Sequence, residues 1–145
     1  MSETFATGSA DETIELGRRI AARLRPGAVV AFFGDLGAGK TTMIKGIALG
    51  LGIKETVRSP SFVVATEYKG AVRVQHVDLY RLRDSAELAA IGFTDLLAAD
   101  AVTLIEWADR AGLELPVDAV RVEMAVAGDE QRSIRIAGLQ AKESA

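Results

Sequence analysis

The chain has 145 residues, 49% hydrophobic and 26% charged, with a formal net charge of −3. That size and balance fit one globular domain and exclude a chain disordered throughout. With no cysteine and one histidine, His76, disulfides, thiolate catalysis and cysteine-ligated or multi-histidine zinc are excluded.

No uninterrupted apolar run reaches the ~18 residues of a membrane span. Met1 to Asp11 lacks a basic region followed by an apolar run, so no signal peptide is expected and the cytoplasm is the expected compartment. Charge is uneven along the chain. Lys54 to Arg83 holds six basic and three acidic residues, a local +3 against −6 for the rest. Such a segment suits either a solvated face or a surface for phosphates or an acidic partner.

The first ten residues read as a flexible N-terminus, 11–138 as one domain and 139–145 as a flexible tail. Asp11 is placed to cap a helix over Glu12 to Arg25, which Pro26-Gly27 ends. Ala28 to Phe33 reads as a strand buried on both faces. A glycine-rich loop, Gly34 to Gly39, leads into a helix from Lys40 to Leu51. Ser61 to Tyr68 and Ala71 to Leu79 read as a hairpin turning at Lys69-Gly70, with Val72, Val74, His76 and Asp78 on one face. Asp84 and Glu87 resemble a capping box opening a helix to about Ile91, and Thr94 to Ala99 a further short helix. Ala101 to Trp107 is a second buried strand. Val120, Val122, Met124 and Val126, then Ile134 and Ile136, alternate around Gly128-Asp129 as a terminal hairpin with one wet face.

Gly34 to Thr41 matches the phosphate-loop pattern G-x-x-x-x-G-K-S/T at every fixed position. The composition allows only about 0.005 accidental matches, and the flanking strand and helix are those the motif needs. Glycines let backbone N–H groups from Gly37, Ala38, Gly39, Lys40, Thr41 and Thr42 converge on phosphate oxygens. Lys40 supplies a point charge to the β- and γ-phosphates, and the Thr41 hydroxyl is placed to ligate Mg²⁺. Thr42 reads equally as a second polar contact or an exposed helix residue. A metal carboxylate is expected at the end of a neighbouring buried strand, where Glu106 and Asp78 both stand. Glu106 is assigned to Mg²⁺, directly or through water; Asp78 orients the attacking water or completes the metal shell. His76 reads first as a structural residue beside Asp78. The expected architecture is α/β: a single-domain P-loop NTPase fold whose mixed, mostly parallel sheet is flanked by helices and ends in a β-hairpin.

No N-K-x-D guanine motif occurs, and Asp109 to Gly112 matches D-x-x-G only loosely. A small-molecule kinase remains an alternative by size, with Arg58, Arg81, Arg83 and Arg132 as phosphate-facing candidates. A non-hydrolytic, nucleotide-gated binding module is another.

GDLGAGKTT (Gly34 to Thr42), SPSF (Ser59 to Phe62), HVDLYRL (His76 to Leu82), the Glu87 to Gly92 helix end and IEW (Ile105 to Trp107) occur in order. Together these blocks resemble the bacterial TsaE (YjeE) family, strongly from Asp11 to Trp107 and weakly over the terminal hairpin. The resemblance implies a weak, Mg-dependent ATPase working with TsaD and TsaB, which install threonylcarbamoyl on adenosine-37 of tRNA. It implies that Thr41 and Glu106 hold Mg²⁺, that Asp78 is needed for hydrolysis, and that SPSF acts as a switch near the γ-phosphate. It further implies that Ala10 and Arg132 contribute to the nucleotide site. Trp107, after Glu106, reads as a packing residue or a nucleotide-gated or partner-facing contact. Tyr80 and Arg81 suit either packing and solvation or a face toward tRNA or the partner. Two departures stand out: Ser61 replaces the usual threonine of SPTF, and Ala108 the usual proline after E-W. The net charge of −3 argues that tRNA is met indirectly, through the complex.

Overall fold

The computed structural model describes residues 2–35, 37–55, 57, 65–80, 85–90, 92–93, 97 and 100–139. Seven strands form one sheet: β1 (Ser2–Thr7), β2 (Val29–Phe33), β3 (Ala65–Tyr68), β4 (Arg73–Asp78), β5 (Ala101–Glu106), β6 (Val120–Val126) and β7 (Arg132–Ala137). Their order is β1-β7-β6-β2-β5-β4-β3. The three central pairings, β6–β2, β2–β5 and β5–β4, are parallel; the three outer ones are antiparallel. Five of the seven strands therefore point the same way, and the expected mixed sheet with its β6–β7 hairpin is present.

The phosphate-loop strand β2 lies at the centre because the side chains of Val30, Ala31 and Phe32 have no polar atoms to satisfy, while its backbone pairs with β5 and β6; all three residues are fully buried. On one face Phe32, Val74, Leu104, Val122 and Ile134 pack against Leu16 and Ile20 of α1 (Ala10–Ala21) and Met43, Ile44 and Ile47 of α2 (Lys40–Gly50). On the other, Ala31, Val77 and Ile105 pack with Leu79, Phe93, Ala111 and Leu115. Each large side chain buried in this way contributes about 1.5–3 kcal/mol. The two helices touch backbone to backbone. A Cβ on Gly17 would stand 2.5 Å from the Met43 carbonyl oxygen, and one on Gly46 would overlap the Ile14 carbonyl. That close approach sets the seat of α2, whose first turn carries Lys40 and Thr41.

Several boundaries differ from the expectation. Residues 2–7, expected to be flexible, pair along the whole of β7 as β1, with Phe5 against the core. Helix α1 is capped by Ser9, not Asp11. The Ser9 Oγ accepts from the Glu12 N–H at 3.2 Å, and the Glu12 carboxylate accepts from the Gly8 N–H at 2.9 Å. That reciprocal arrangement satisfies two donors where Asp11 would satisfy one. The helix stops at Ala21 rather than Arg25 because the Arg23 and Leu24 N–H groups turn back to Ile20 and Ala21. The β3–β4 connection spans residues 69–72, longer than a two-residue turn. Helix α3 (Ser85–Ala90) falls where a helix was expected. Asp84, the 61–64 part of the expected strand, SPSF, Arg58, Arg81 and Arg83, and all but Leu97 of Thr94 to Ala99 lie outside the described residues. So does the expected tail apart from Leu139, which packs on the core. Among the described residues, no helix is long and apolar enough to cross a membrane.

Candidate phosphate-binding and metal site

The loop between β2 and α2 is built on glycines held at positive φ: +85° at Gly37 and +98° at Gly39. Side chains with a Cβ are strained there. Gly39 is the N-cap of α2 and makes no side-chain cap, so the first-turn N–H groups have no side-chain acceptor from the cap residue. The Ala38 N–H behaves otherwise: it donates to the Asp35 carbonyl at 3.0 Å, and Ala38 is buried. Thr42 is half-buried on the same first turn.

Lys40 is 5% exposed. Its Nζ donates to the Gly34 carbonyl and lies 3.5 Å from the centroid of the Trp107 ring. Burial pulls its pKa below the ordinary 10.5, partly offset by the negative charges of Glu106, Asp109, Asp78 and Asp35. Trp107 takes a left-handed backbone, φ 56° and ψ 43°, at the end of β5. Tyr80 stands against it with ring centroids 5.0 Å apart, and the Arg110 guanidinium lies 6.0 Å from the Tyr80 centroid.

Thr41 Oγ1 donates toward both oxygens of Glu106, at 2.9 and 3.0 Å. Glu106 is 4% exposed, an ionisable group in a place that tolerates one only when it is partnered. Among the described residues it also meets His76, whose Nε2 is 2.6 Å from Oε2. Asp78 is the register partner of Glu106 across the parallel β4–β5 pair, on the same face of the sheet. The Asp78 carboxylate is half-buried and accepts from the Tyr80 N–H at 2.9 Å. The structure thus brings Lys40, Thr41, Asp78 and Glu106 to one end of the sheet beside the loop.

Arg132 reaches the loop from the β6–β7 turn. One guanidinium nitrogen donates to the Gly128, Asp129 and Gln131 carbonyls at 3.3, 3.2 and 2.9 Å; the other donates to the Gly37 carbonyl at 3.1 Å. Ala10 opens α1 at an exposed position. Arg73, part of the basic segment, is paired with Glu67 at 3.2 Å and Asp100 at 3.0 Å.

Two contacts escaped sequence reasoning. His76 was expected beside Asp78 as a structural residue, yet it holds Glu106. A parallel register aligning Asp78 with Glu106 puts His76 on that face one pleat earlier, a signal visible only once the pairing is known. The seat of Lys40 on Trp107 likewise needs the left-handed turn at Trp107, which no local pattern announces.

The family model described as threonylcarbamoyl adenosine biosynthesis protein TsaE matches residues 7–134. A Treponema pallidum protein named tRNA threonylcarbamoyladenosine biosynthesis protein TsaE is 38% identical over 129 residues, covering 89% of this chain and 96% of its own. A Bacillus subtilis protein of the same name is 39% identical over 131 residues, covering 90% and 82%. The crystal structure of Bacillus subtilis YdiB superposes with a TM-score of 0.80 at 34% identity, covering 94% of this chain and 84% of that one. On the strength of the loop, the strand-end carboxylates and these matches, the chain belongs to the TsaE family.

Proposed function

We propose that this chain is a Mg-dependent ATP-binding and ATP-hydrolysing subunit that acts in the threonylcarbamoyl modification of adenosine-37 in tRNA, together with TsaD and TsaB homologues. The observation that carries the proposal is the contact of the Thr41 hydroxyl with both Glu106 oxygens, directly behind Lys40. The residues fit the implied metal. A hydroxyl and a carboxylate within hydrogen-bond distance are hard oxygen donors of the kind Mg²⁺ takes, and a buried carboxylate is well matched to a cation. Thr41 and Glu106 would hold Mg²⁺, which supplies charge neutralisation at the β- and γ-phosphate oxygens.

The rest of the work falls to the chain. Backbone N–H groups from Gly37 through Thr42 and the positive end of α2 bind the phosphates. The Ala38 N–H joins them only by leaving the Asp35 carbonyl. Lys40 leaves Gly34 and Trp107 for the β- and γ-phosphates, where its charge and three donors match the ligand better than one carbonyl does. Asp78 orients a water in line with the γ-phosphorus. The water oxygen bonds to phosphorus as the bond to the β–γ bridging oxygen breaks, ADP leaves, and a proton passes to solvent or to Asp78. Catalysis of this kind is positioning and charge stabilisation. Arg132 is engaged with backbone carbonyls, so slow turnover alone and faster turnover in a complex are expected.

The test is ATPase turnover of the chain, alone and with the TsaB–TsaD pair and tRNA, with Lys40→Ala as the control. Stimulation that disappears in the variant supports the proposal; equal slow turnover with and without partners defeats the coupled part. A non-hydrolytic, nucleotide-gated module draws support from the Lys40–Trp107 contact, which nucleotide binding alone would disturb. It requires that Asp78→Ala keep both partner binding and tRNA modification. A small-molecule kinase would instead show ATP consumption stimulated by an acceptor.

A further inference from the structure

The apolar sheet face under α2 is lined by Phe32, Val74, Val102 and Leu104, and His76 is the odd residue on it. It is completely buried, and its Nδ1 has no hydrogen-bond partner among the described residues. A histidine placed for packing alone would be a poor choice, because an aliphatic side chain would fill the site without an unsatisfied polar atom. Its one polar contact among the described residues is Nε2 with Glu106 Oε2 at 2.6 Å. Nε2 carries the hydrogen: a bare ring lone pair facing a carboxylate oxygen at that distance would repel it.

That bond resolves an ambiguity at Glu106. Thr41 Oγ1 lies almost equally far from the two carboxylate oxygens, at 2.9 and 3.0 Å, and so does not select between them. His76 does select, because it holds Oε2 alone. We infer that His76 is a positioning residue for the metal site: its Nε2–H fixes Oε2 and thereby presents Oε1, together with the Thr41 hydroxyl, to the cation. The inference rests on the proposed metal role of Glu106. A histidine fixed in a strand and packed on both sides restricts the carboxylate in a way that a surface donor would not. Partners of metal ligands commonly alter metal affinity by about 10–100-fold when removed.

The experiment measures Mn²⁺ affinity, from the free-Mn²⁺ EPR signal, in the presence of ADP, and ADP affinity in EDTA by calorimetry. The proteins are the unaltered chain, Glu106→Gln, His76→Leu, His76→Gln and His76→Asn. Glutamine can place an N–H near the position of Nε2; asparagine is too short. The expected result is a Mn²⁺ affinity about tenfold weaker in His76→Leu and His76→Asn, with His76→Gln restored to within about threefold. ADP affinity in EDTA stays unchanged in all three, since the polar contact of His76 among the described residues is with Glu106 and not with the loop or Lys40. If His76→Leu fails to fold by circular dichroism, the glutamine–asparagine pair decides alone. The inference is overturned if the His76 variants keep full Mn²⁺ affinity while Glu106→Gln loses it. It is equally overturned if they lose ADP affinity in EDTA by the same factor, which marks a general structural role. If Glu106→Gln itself keeps full Mn²⁺ affinity, the metal role of Glu106 fails and the inference falls with it.

Discussion

Lys40 and Trp107 are in direct cation–aromatic contact, the ammonium 3.5 Å from the ring centroid, with the lysine also bonded to the Gly34 carbonyl. The charge proposed to bind phosphate is therefore already engaged inside the protein. Trp107 is the only tryptophan in the chain. Its intrinsic emission is expected to change when ADP or a non-hydrolysable ATP analogue is added, because the ammonium must leave the ring. Lys40→Met should alter the emission of the free protein and abolish the response. It should also weaken nucleotide binding by about 1.5–3 kcal/mol, the worth of a hydrogen bond to a charged group. A ligand-induced emission change that persists in Lys40→Met would refute the link.

The same burial has a pH consequence. The Lys40 pKa is depressed below 10.5 by desolvation, and phosphate binding favours the charged form. Nucleotide affinity is therefore expected to begin falling at a lower pH than an ordinary lysine would give. In that window binding takes up protons. For the free protein the sign is opposite. The unfolded chain binds the proton more tightly, so the Lys40 contribution to stability rises as pH climbs through the depressed value toward 10.5, and is lost as pH falls. Calorimetry in buffers of different ionisation enthalpy would detect the proton uptake; its absence would count against Lys40 as the phosphate ligand.

Arg132 joins two elements far apart in the sequence. Its guanidinium holds three carbonyls of the β6–β7 turn and the Gly37 carbonyl. Arg132→Ala is expected to weaken nucleotide binding by about 1 kcal/mol through loss of that tie to the loop. Arg132→Lys should not restore it, because a single ammonium cannot span acceptors on both sides as the planar fork does. Full recovery in the lysine variant would mean that only the charge matters.

What was legible in the chain was what is local or what the chemistry demands. The phosphate loop is contiguous, and Glu106 stood out as a lone acid ending an apolar strand. The cap at Ser9 was obscured by Asp11, which is also a good cap and lies two residues on. Strand β1 gave no local signal: SETFAT is short and largely polar, and it becomes a strand only because β7, from the opposite end of the chain, offers a free edge. The His76–Glu106 bond depends on strand register, which no window of sequence contains.

That edge pairing makes its own prediction. Removing residues 2–7 leaves the outer N–H and C=O groups of β7 unpaired and strips Phe5 from the core. Unpaired edges invite intermolecular pairing. The truncated chain should lose thermal stability and associate as concentration rises, as read by light scattering. The Glu3–Arg23 ion pair at 2.9 Å joins β1 to the turn after α1. Glu3 is the exposed member of the pair, so Glu3→Ala alone should cost little stability. A monomeric truncated chain with unchanged melting would show that β1 is dispensable.

A glycine in the loop and one in the helix that follows it should fail in different ways. Gly46 lies in the middle of α2 with an unremarkable backbone, but a Cβ there would overlap the Ile14 carbonyl of α1, which cannot yield without moving the helix. Gly46→Ala should destabilise the fold by about 1–3 kcal/mol or more, as overpacking does, even though alanine is the better helix former. Gly37 is the reverse case. A Cβ would meet nothing within 4 Å, but φ is +85°. Gly37→Ala therefore costs about 1–2 kcal/mol of backbone strain, which the loop can shed by changing shape. Its damage should appear in nucleotide affinity while the melting temperature of the free protein moves little. Gly46→Ala should do the opposite, lowering the melting temperature first and losing nucleotide affinity only as the seat of α2 shifts. Measuring both quantities on both variants separates a glycine needed for close packing from one needed for its dihedral angles; a melting temperature unmoved by Gly46→Ala would refute the tight α1–α2 approach.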